Sequence, residues 1–393
     1  MRRIASVAMV LLDNIISFWK SLQDKDYGGY YGYVGQDLKL DRKAGKGCIL
    51  NSRILWFFSE AAMLLDRDDL REQADHAYNF LNKHCLDREN GGIYWSMCYD
   101  GQPADTTKHT YNQAFAIYAL SSYYRLTGSK EPLDQAIGLF RLIEKYCTDE
   151  IGYLEAFTAE WTPESNEKLS ENGVLADKTM NTLLHVFEGY AGLYQATRSE
   201  EVKRAMQRIL NIYQEKIYDP VLRRQRVFFD ENYNSILDLY SYGHDIESSW
   251  LIDWGTNLLD EPILSQNVAD INADMAKAIY EIAYQQNSLA NECDREVVDG
   301  TRVWWVQAEG VLGFVNLWDK EPECTQYRDA AKNIFRYICD YMVDKRPGSE
   351  WFWCLDEKGD PIPGKPIVEP WKCPYHNGRM CMELIRRDPE IYV

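Results

Sequence analysis

The sequence predicts an all-α fold, an (α/α)6 barrel of six helical hairpins whose short β-turn loops gather at one rim. Three observations carry that prediction. First, six segments alike in kind return at nearly even intervals: NSRILWFFSE (Asn51–Glu60), KHTYNQAFAIYAL (Lys108–Leu120), DKTMNTLLHVFEGY (Asp177–Tyr190), YGHDIESSWL (Tyr242–Leu251), VWWVQAEGVLGF (Val303–Phe314) and CPYHNGRMCMEL (Cys373–Leu384). With Arg53, His109, Asn181, His244, Trp305 and His376 as markers, the steps are about 56, 72, 63, 61 and 71 residues. A repeat of roughly 60 to 70 residues suits a helical hairpin with its loops, and six such units fill 393 residues. Second, each segment opens on His, Arg, Asn, Trp or Tyr and then runs into an apolar helical pattern. Third, clusters of Gly, aromatic and acidic residues lie between them: DYGGYYGY (Asp26–Tyr33), ENGGIYWSMCYDG (Glu89–Gly101), EIGYLEAF (Glu150–Phe157) and GSEWFWCL (Gly348–Leu355). Weaker versions are YDPVLRRQRVFFD (Tyr218–Asp230) and SLANECDREV (Ser288–Val297). Gly pairs permit turns, and alternating aromatics suit short strands.

Each unit therefore reads as outer helix, short β-turn loop, inner helix. At the start, FWKSL (Phe18–Leu22) continues MRRIASVAMVLL as an amphipathic helix, and Asp13 interrupts the apolar run, so no secretory signal is evident. HAYNFLNKH, holding His76 and His84 among charged residues, reads as an outer helix. EWTPESNEKLSEN (Glu160–Asn172) is polar and lies between repeats, which predicts a mobile lid. The continuous repeat, without a Pro-, Ser- or charge-rich linker, predicts a single domain over residues 1–393. Inner helices closed into a ring would present their first residues to one funnel, where the polar and aromatic markers fall.

Composition narrows the function. Net charge is −18, and Lys and Arg form no basic stripe, which argues against nucleic acid as a partner. No apolar run approaches ~18 residues, so no membrane span is expected. Ten cysteines at irregular spacing fit free thiols in a reducing cytoplasm. Cys373 and His376 have a ligand-like spacing but no second pair, so no metal site is expected. Twelve Trp and 27 Tyr mostly serve the core, but those in loops and at inner-helix starts suit stacking on pyranose rings.

Four of the six histidines, His109, His185, His244 and His376, stand in the recurrent segments. Asn181, His185 and Glu188 share one helix face, His244 and Glu247 are three apart, and Trp305 and Glu309 four apart. A carboxylate meeting the His244 imidazole would fix its tautomer and raise its basicity. Arg53, ahead of LWFF, is rooted in the core with its guanidinium toward the funnel. No P-loop, G-x-S-x-G, H-E-x-x-H or dinucleotide fingerprint is present, and no cofactor is expected. Histidines, an arginine, carboxylates and aromatics in one funnel suit proton transfer on a sugar.

SYGHDIESSWL, WWVQAEGVLGF and WKCPYHNGRMCMEL strongly resemble the cellobiose 2-epimerases, within the N-acylglucosamine 2-epimerase superfamily. NSRILWFF, KHTYNQAFAIYALSSYY and DKTMNTLLHVFE fit the same family, and the resemblance runs from about Ile15 onward. It implies C2 epimerisation of the reducing-end glucose of a β-1,4 disaccharide: cellobiose to glucosylmannose, lactose to epilactose. It implies ring opening and a cis-enediolate, with His244 the base for the glucose-type end and His376 for the mannose-type end. Arg53 would hold the enediolate oxygens, and His185, with Asn181 beside it, would contact the reacting sugar. Tyr111, Glu247, Glu292, Trp305, Glu309 and Trp371 complete the expected substrate-binding set, with Glu247 supporting His244. Asn51 stands where some relatives carry His, Gly310 replaces a commoner Ala, and ANECDRE departs from the usual pattern around Glu292. An aldose–ketose isomerase or monosaccharide epimerase of the same superfamily is the alternative. An inverting hydrolase is a further one, and needs two carboxylates roughly 6.5 to 9.5 Å apart across the scissile bond. A cytoplasmic monomer is the expected state.

Overall fold

The computed structural model describes residues 2–168 and 173–393. Among the described residues twelve α-helices alternate between two rings. In chain order they are α1 (Ile4–Ser21), α2 (Cys48–Leu65), α3 (Asp68–Phe80), α4 (Thr110–Thr127), α5 (Lys130–Tyr146), α6 (Met180–Thr197), α7 (Glu200–Ile212), α8 (Tyr242–Asn257), α9 (Pro262–Ile282), α10 (Trp304–Lys320), α11 (Thr325–Tyr337) and α12 (His376–Arg387). The even-numbered helices touch in the order α2, α4, α6, α8, α10, α12 and back to α2, a closed inner ring. The odd-numbered helices lie outside it. This is the predicted (α/α)6 barrel, and burial follows the sequence pattern. Helix α2 buries every residue from Cys48 to Ala62. Outer helix α7 buries one stripe, Val202, Ala205, Met206, Ile209 and Leu210 among its members, as an amphipathic surface helix does.

One detail differs from the expected unit. Each inner helix from α2 to α10 packs chiefly on the outer helix that follows it, not on the one before, and α12 packs on α1. The cause is link length. Helices α2 and α3 are joined by Asp66 and Arg67 alone, and α6 and α7 by Arg198 and Ser199. Such short links hold successive helices antiparallel and adjacent. They begin with a left-handed residue that ends the inner helix: Asp66 at φ 50°, Gly128 at φ 70° and Arg198 at φ 54°.

The longer connections lie at the opposite end, where the inner helices start. The residues just before each of five inner helices pair with a short strand from the next rim loop. Lys46–Gly47 pairs with Ser96–Met97, Lys108–His109 with Ala156–Phe157, and Lys178–Thr179 with Phe228–Phe229. Leu239–Ser241 pairs with Glu292–Asp294, and Arg302–Val303 with Cys354–Leu355. Every second strand lies in one of the Gly and aromatic clusters, the two weaker ones included. A bridge between Val34 and Val368 carries the circuit across the junction of first and last loops.

A second device repeats beneath the rim. Lys46, Lys108 and Lys178 stand two residues ahead of their helices and turn their ammonium groups inward. They reach Asp24, Asp87 and Asp149 at 2.6, 2.6 and 2.5 Å. Lys372 reaches Glu350 in the same way. Each of the three aspartates also accepts two backbone N–H groups of its own turn, so one ion pair with a buried lysine fixes a loop to a helix start. Lys108 also donates to the carbonyls of Gly91 and Ala159 and is wholly enclosed. Replacing Lys108 by Met leaves Asp87 buried without its cation, and the expected loss is about 3 kcal/mol. Urea unfolding of Lys108→Met measures it, and Lys108→Met with Asp87→Asn should recover part of the loss.

Two sequence expectations meet a limit or a correction here. Of the stretch expected to form a lid, residues 169–172 lie outside the described residues. Earlier in it, Asn166 bonds His109 and Lys168 pairs with Asp105. The expectation of no membrane-length apolar segment needs amendment: α1 and α2 are each 18 residues and apolar enough by length and composition to cross a membrane. Ring packing accounts for that character in α2, 83% of which is buried.

Candidate active site

The inner helices point their N-terminal ends into a cavity of about 600 Å³. Ten of the eleven expected site residues line it: Arg53, Tyr111, Asn181, His185, His244, Glu247, Glu292, Trp305, Trp371 and His376. They come from all six inner helices and from two rim loops. The exception is Glu309, which is fully buried beneath the cavity wall. Its carboxylate lies 2.7 Å from His376 Nδ1 and accepts from Trp250 Nε1 at 2.9 Å. It holds a cavity residue and does not itself line the cavity.

Arg53 is fixed by α2 and by its neighbours. Its Nη2 donates to the Tyr111 hydroxyl at 2.7 Å, and its guanidinium lies 4.1 Å from the Phe115 ring centre and 4.8 Å from that of Tyr375. A cation stacked this way stays charged and presents donors in one direction. His185 turns Nδ1 to Glu188 at 2.8 Å, as their i, i+3 spacing predicts, and packs against Tyr111 at 5.0 Å between ring centres. Trp305 contacts two imidazoles at once, with ring centres 4.8 Å from His244 and 5.4 Å from His376. Gly243 makes that approach possible, because a Cβ there would meet the Trp305 ring at 2.5 Å.

The spacing argument misassigned one partner. Glu247 does not meet His244. The His244 Nδ1 lies 2.6 Å from Ser241 Oγ, just ahead of the helix, because side chains in a first helical turn lean toward the N-terminus. Glu247 is drawn instead to Arg379, whose Nη2 bonds its Oε1 at 2.5 Å. Two further motif expectations sort themselves. His109 lies behind the cavity: its Nδ1 accepts the Tyr111 N–H at the start of α4, and its Nε2 meets Asn166 at 2.9 Å. His76 and His84 bond the carbonyls of Gly29 and Gly101 on the outer face.

Arg379 is the principal residue that sequence reasoning missed. It is buried on the barrel axis, with Nη1 donating to Glu188 at 2.7 Å and Nη2 to Glu309 at 2.7 Å and to Glu247. Its guanidinium stacks on Tyr375 and Trp250 at 4.3 and 4.8 Å. Ligand atoms of Glu247, Glu309 and His376 lie within 4.8 Å of one another, a set suited to a divalent cation. Arg379 already supplies the positive charge there. The same geometry bears on hydrolysis. Glu247 and Glu309 share one guanidinium nitrogen and stand side by side, not on two sides of a bound sugar. A signal was available: carboxylates recur one or two turns beyond the markers on three inner helices, and three such groups on one axis need a cation. Ser241, Trp304, Trp353 and Lys365 also line the cavity and were not anticipated.

Burial sets the protonation of these groups. It pushes His244 down to about 3, aided by the nearby His185 and His376, and His376 to about 3 against the opposing pull of Glu309. Burial likewise lowers His185, and His109 to about 4. Glu247 is raised by burial and by the charge of Glu309, whereas Arg379 and His376 hold Glu309 low despite its burial. The imidazoles are therefore neutral near pH 7 and free to act as bases.

These shifts predict how stability follows pH. Histidines whose folded values lie below the ordinary 6.5 lose stabilisation as pH falls from about 6.5 toward 3, because only the unfolded chain takes up the proton. Glu155, Asp245 and Glu247, raised by burial to about 8, 7 and 8, act oppositely to the four histidines. They stay protonated when folded and gain stability as pH falls from about 8 to 4. The two sets offset between pH 7 and 5. Below about pH 4 the compensation ends, and carboxylates held low by cations, such as Asp87 at about 2, add to the loss. Chemical denaturation across pH should give a near-plateau from 7 to 5 and a steep fall below 4. A steady decline beginning at 6.5 would contradict these assignments.

Comparison with known proteins gives the family. The N-acylglucosamine 2-epimerase (GlcNAc 2-epimerase) family profile matches residues 29–377. The chain belongs to this family. It is 47% identical to the cellobiose 2-epimerase of Eubacterium cellulosolvens, over 97% of this chain and 98% of that protein. The crystal structure of a sugar epimerase from a ruminal bacterium superposes with a TM-score of 0.97 at 46% identity, covering 99% of this chain and 100% of the other. The cellobiose 2-epimerase of Bacillus thermoamylovorans B4167 gives 0.94 at 41% identity, covering 98% and 99%. In this chain five of the six markers line one cavity, His109 lies behind it, and Glu188, Glu247 and Glu309 converge on Arg379.

Proposed function

We propose that this protein epimerises C2 of the reducing-end glucose of β-1,4 disaccharides, turning cellobiose into glucosylmannose and lactose into epilactose. Near-complete coverage by relatives named cellobiose 2-epimerase, at up to 47% identity, supports the substrate class. The observation that carries the chemistry is the pair of neutral imidazoles, His244 and His376, against one indole in a cavity that also holds Arg53.

In this reading the sugar ring opens, with His185 and Asn181 contacting the open-chain end. His244 takes the C2 proton of the glucose-type sugar onto Nε2. The C2–H electron pair moves into C1–C2, and charge collects on O1 as a cis-enediolate. Arg53 faces that charge, and a preorganised cation beside a developing oxyanion in a dry site is worth roughly 3 kcal/mol. His376, having taken a proton from solvent onto Nε2, then delivers it to the opposite face of C2, and His244 releases the proton it took to solvent. Glu309, 2.7 Å from His376 Nδ1, and the enediolate charge together stabilise the imidazolium this needs. In the reverse direction the two imidazoles exchange roles. Trp305 and Trp371 supply stacking faces, and Tyr111, Glu247 and Glu292 supply polar contacts. The scheme uses no cofactor.

Proton NMR of the protein with cellobiose in D2O tests it. A mannose-type reducing end with deuterium at C2 is the expected product. Ketose as the main early product would shift the reading to an aldose–ketose isomerase, which returns the proton to C1. Free glucose would shift it to a hydrolase.

A further inference from the structure

The three histidines that line the cavity differ in what holds Nδ1. His376 and His185 face carboxylates, Glu309 at 2.7 Å and Glu188 at 2.8 Å. His244 faces the neutral hydroxyl of Ser241 at 2.6 Å. Ser241 is the N-cap of α8, where a serine ordinarily accepts a backbone N–H from the second or third helical residue. Thr179, in the same place on α6, does so from Thr182. Ser241 makes no such bond. Its hydroxyl is given over to the side chain of the third helical residue, and it lines the cavity beside that residue. The charged and titratable groups that act on His244 are His185 on α6, His376 on α12 and Glu309 on α10. Among the described residues only Ser241 is hydrogen-bonded to a His244 ring nitrogen.

We propose that Ser241 is a positioning residue for His244, accepting Nδ1–H so that Nε2 turns its lone pair to the sugar C2. This rests on the reading of His244 as the base for the glucose-type end. A hydroxyl suits a group that must both take and return a proton. Nδ1 keeps its hydrogen whether or not Nε2 is protonated, so the bond and the ring orientation survive both states. A neutral partner also leaves the imidazolium without the stabilisation a carboxylate gives, so the proton is returned readily. His376, backed by Glu309, is the imidazole better suited to carry a proton into the reaction. The two faces of C2 are thus served by unequal bases.

The experiment uses Ser241→Ala and Ser241→Thr in D2O, starting separately from cellobiose and from its mannose-type epimer. Epimerisation rate and deuterium at C2 of the recovered substrate are both recorded. The overall equilibrium is unchanged by any variant, so kcat/KM must fall equally in both directions. The partition of the intermediate need not. In Ser241→Ala, kcat should fall about tenfold or more with KM within about twofold. Slow transfer at His244 should make the enediolate return more often to the mannose-type side. Deuterium in recovered substrate, relative to turnover, should then rise when the mannose-type sugar is supplied and fall when cellobiose is. Ser241→Thr keeps the hydroxyl and should restore the rate. A rate unchanged in Ser241→Ala overturns the proposal. So does a lower rate with unchanged deuterium ratios, or a loss in Ser241→Thr as large as in Ser241→Ala. Absence of C2 exchange in the unaltered protein would instead overturn the reading on which this rests.

Discussion

Replacing His376 by Asn should lower epimerisation about 10² to 10⁴-fold, the range for loss of a positioned acid–base group, and His244→Asn should do the same. Asn at 376 can still donate to Glu309, so the axial charge cluster keeps a hydrogen-bonding neighbour and the barrel should unfold at a temperature close to that of the unaltered protein. The two variants should differ in what they retain. His376→Asn leaves His244 able to take the C2 proton of cellobiose and put a solvent deuteron back on the same face. It should therefore exchange the C2 hydrogen of cellobiose while making little epimer. His244→Asn should show that behaviour with the mannose-type sugar. NMR of recovered substrate in D2O measures both. Epimerisation at the original rate in either variant would remove that histidine from the chemistry.

The second large effect concerns stability. Arg379→Met should cost about 3–5 kcal/mol, because it strands carboxylates in the barrel interior. Glu188, Glu247 and Glu309 come from three different inner helices and meet at one guanidinium. Arg379→Lys should fail nearly as badly. An ammonium is a point charge without the planar fork that reaches Glu188 through one nitrogen and Glu247 and Glu309 through the other. Urea midpoints read the loss. Changing the three glutamates to Gln together with Arg379→Met should recover part of it, whereas an Arg379→Met protein as stable as the original would mean that the carboxylates are already neutral. Loss of activity should accompany loss of stability, since Glu309 and Glu188 hold His376 and His185 in place.

The ring architecture was legible because it is periodic. The apolar runs after Arg53, His109, Asn181, His244, Trp305 and His376 could be aligned without knowing which touched which, and the cavity contains five of those six markers. The Gly and aromatic clusters were legible as strand-forming loops for the same reason. What could not be read were choices among competing partners. Helical spacing allowed Glu247 to reach His244, but a full positive charge on the axis outcompetes an imidazole that burial keeps neutral. That cation, Arg379, lies 191 residues from Glu188 and 132 from Glu247 in the chain, so no local pattern links them. Glu309 was placed in the cavity because it shares a face with Trp305, yet one helical turn of depth is enough to put it behind His376. His109 looked like its counterparts in sequence. It precedes its helix and is turned away from the funnel as a cap, a distinction of one residue in register. The buried lysines could have been found: Lys46, Lys108 and Lys178 stand two residues ahead of the first residue of α2, α4 and α6.

The junction where α12 meets α1 and α2 bears on how the protein comes to life in time. His376 and Arg379 both lie on α12, which packs on α1 and α2 and closes the ring. The contacts made there join chain segments more than 300 residues apart, such as Arg53 with Trp371 and Trp19 with Glu350. Bringing such distant segments together carries the greatest loop-closure entropy in the molecule. Five-sixths of the barrel can be assembled and still contain only one of the two bases and none of the axial cation. Catalysis is then a property of the completed circle alone. In a refolding experiment the return of activity should trail the return of helical signal, and the lag between them would time the closing of the ring.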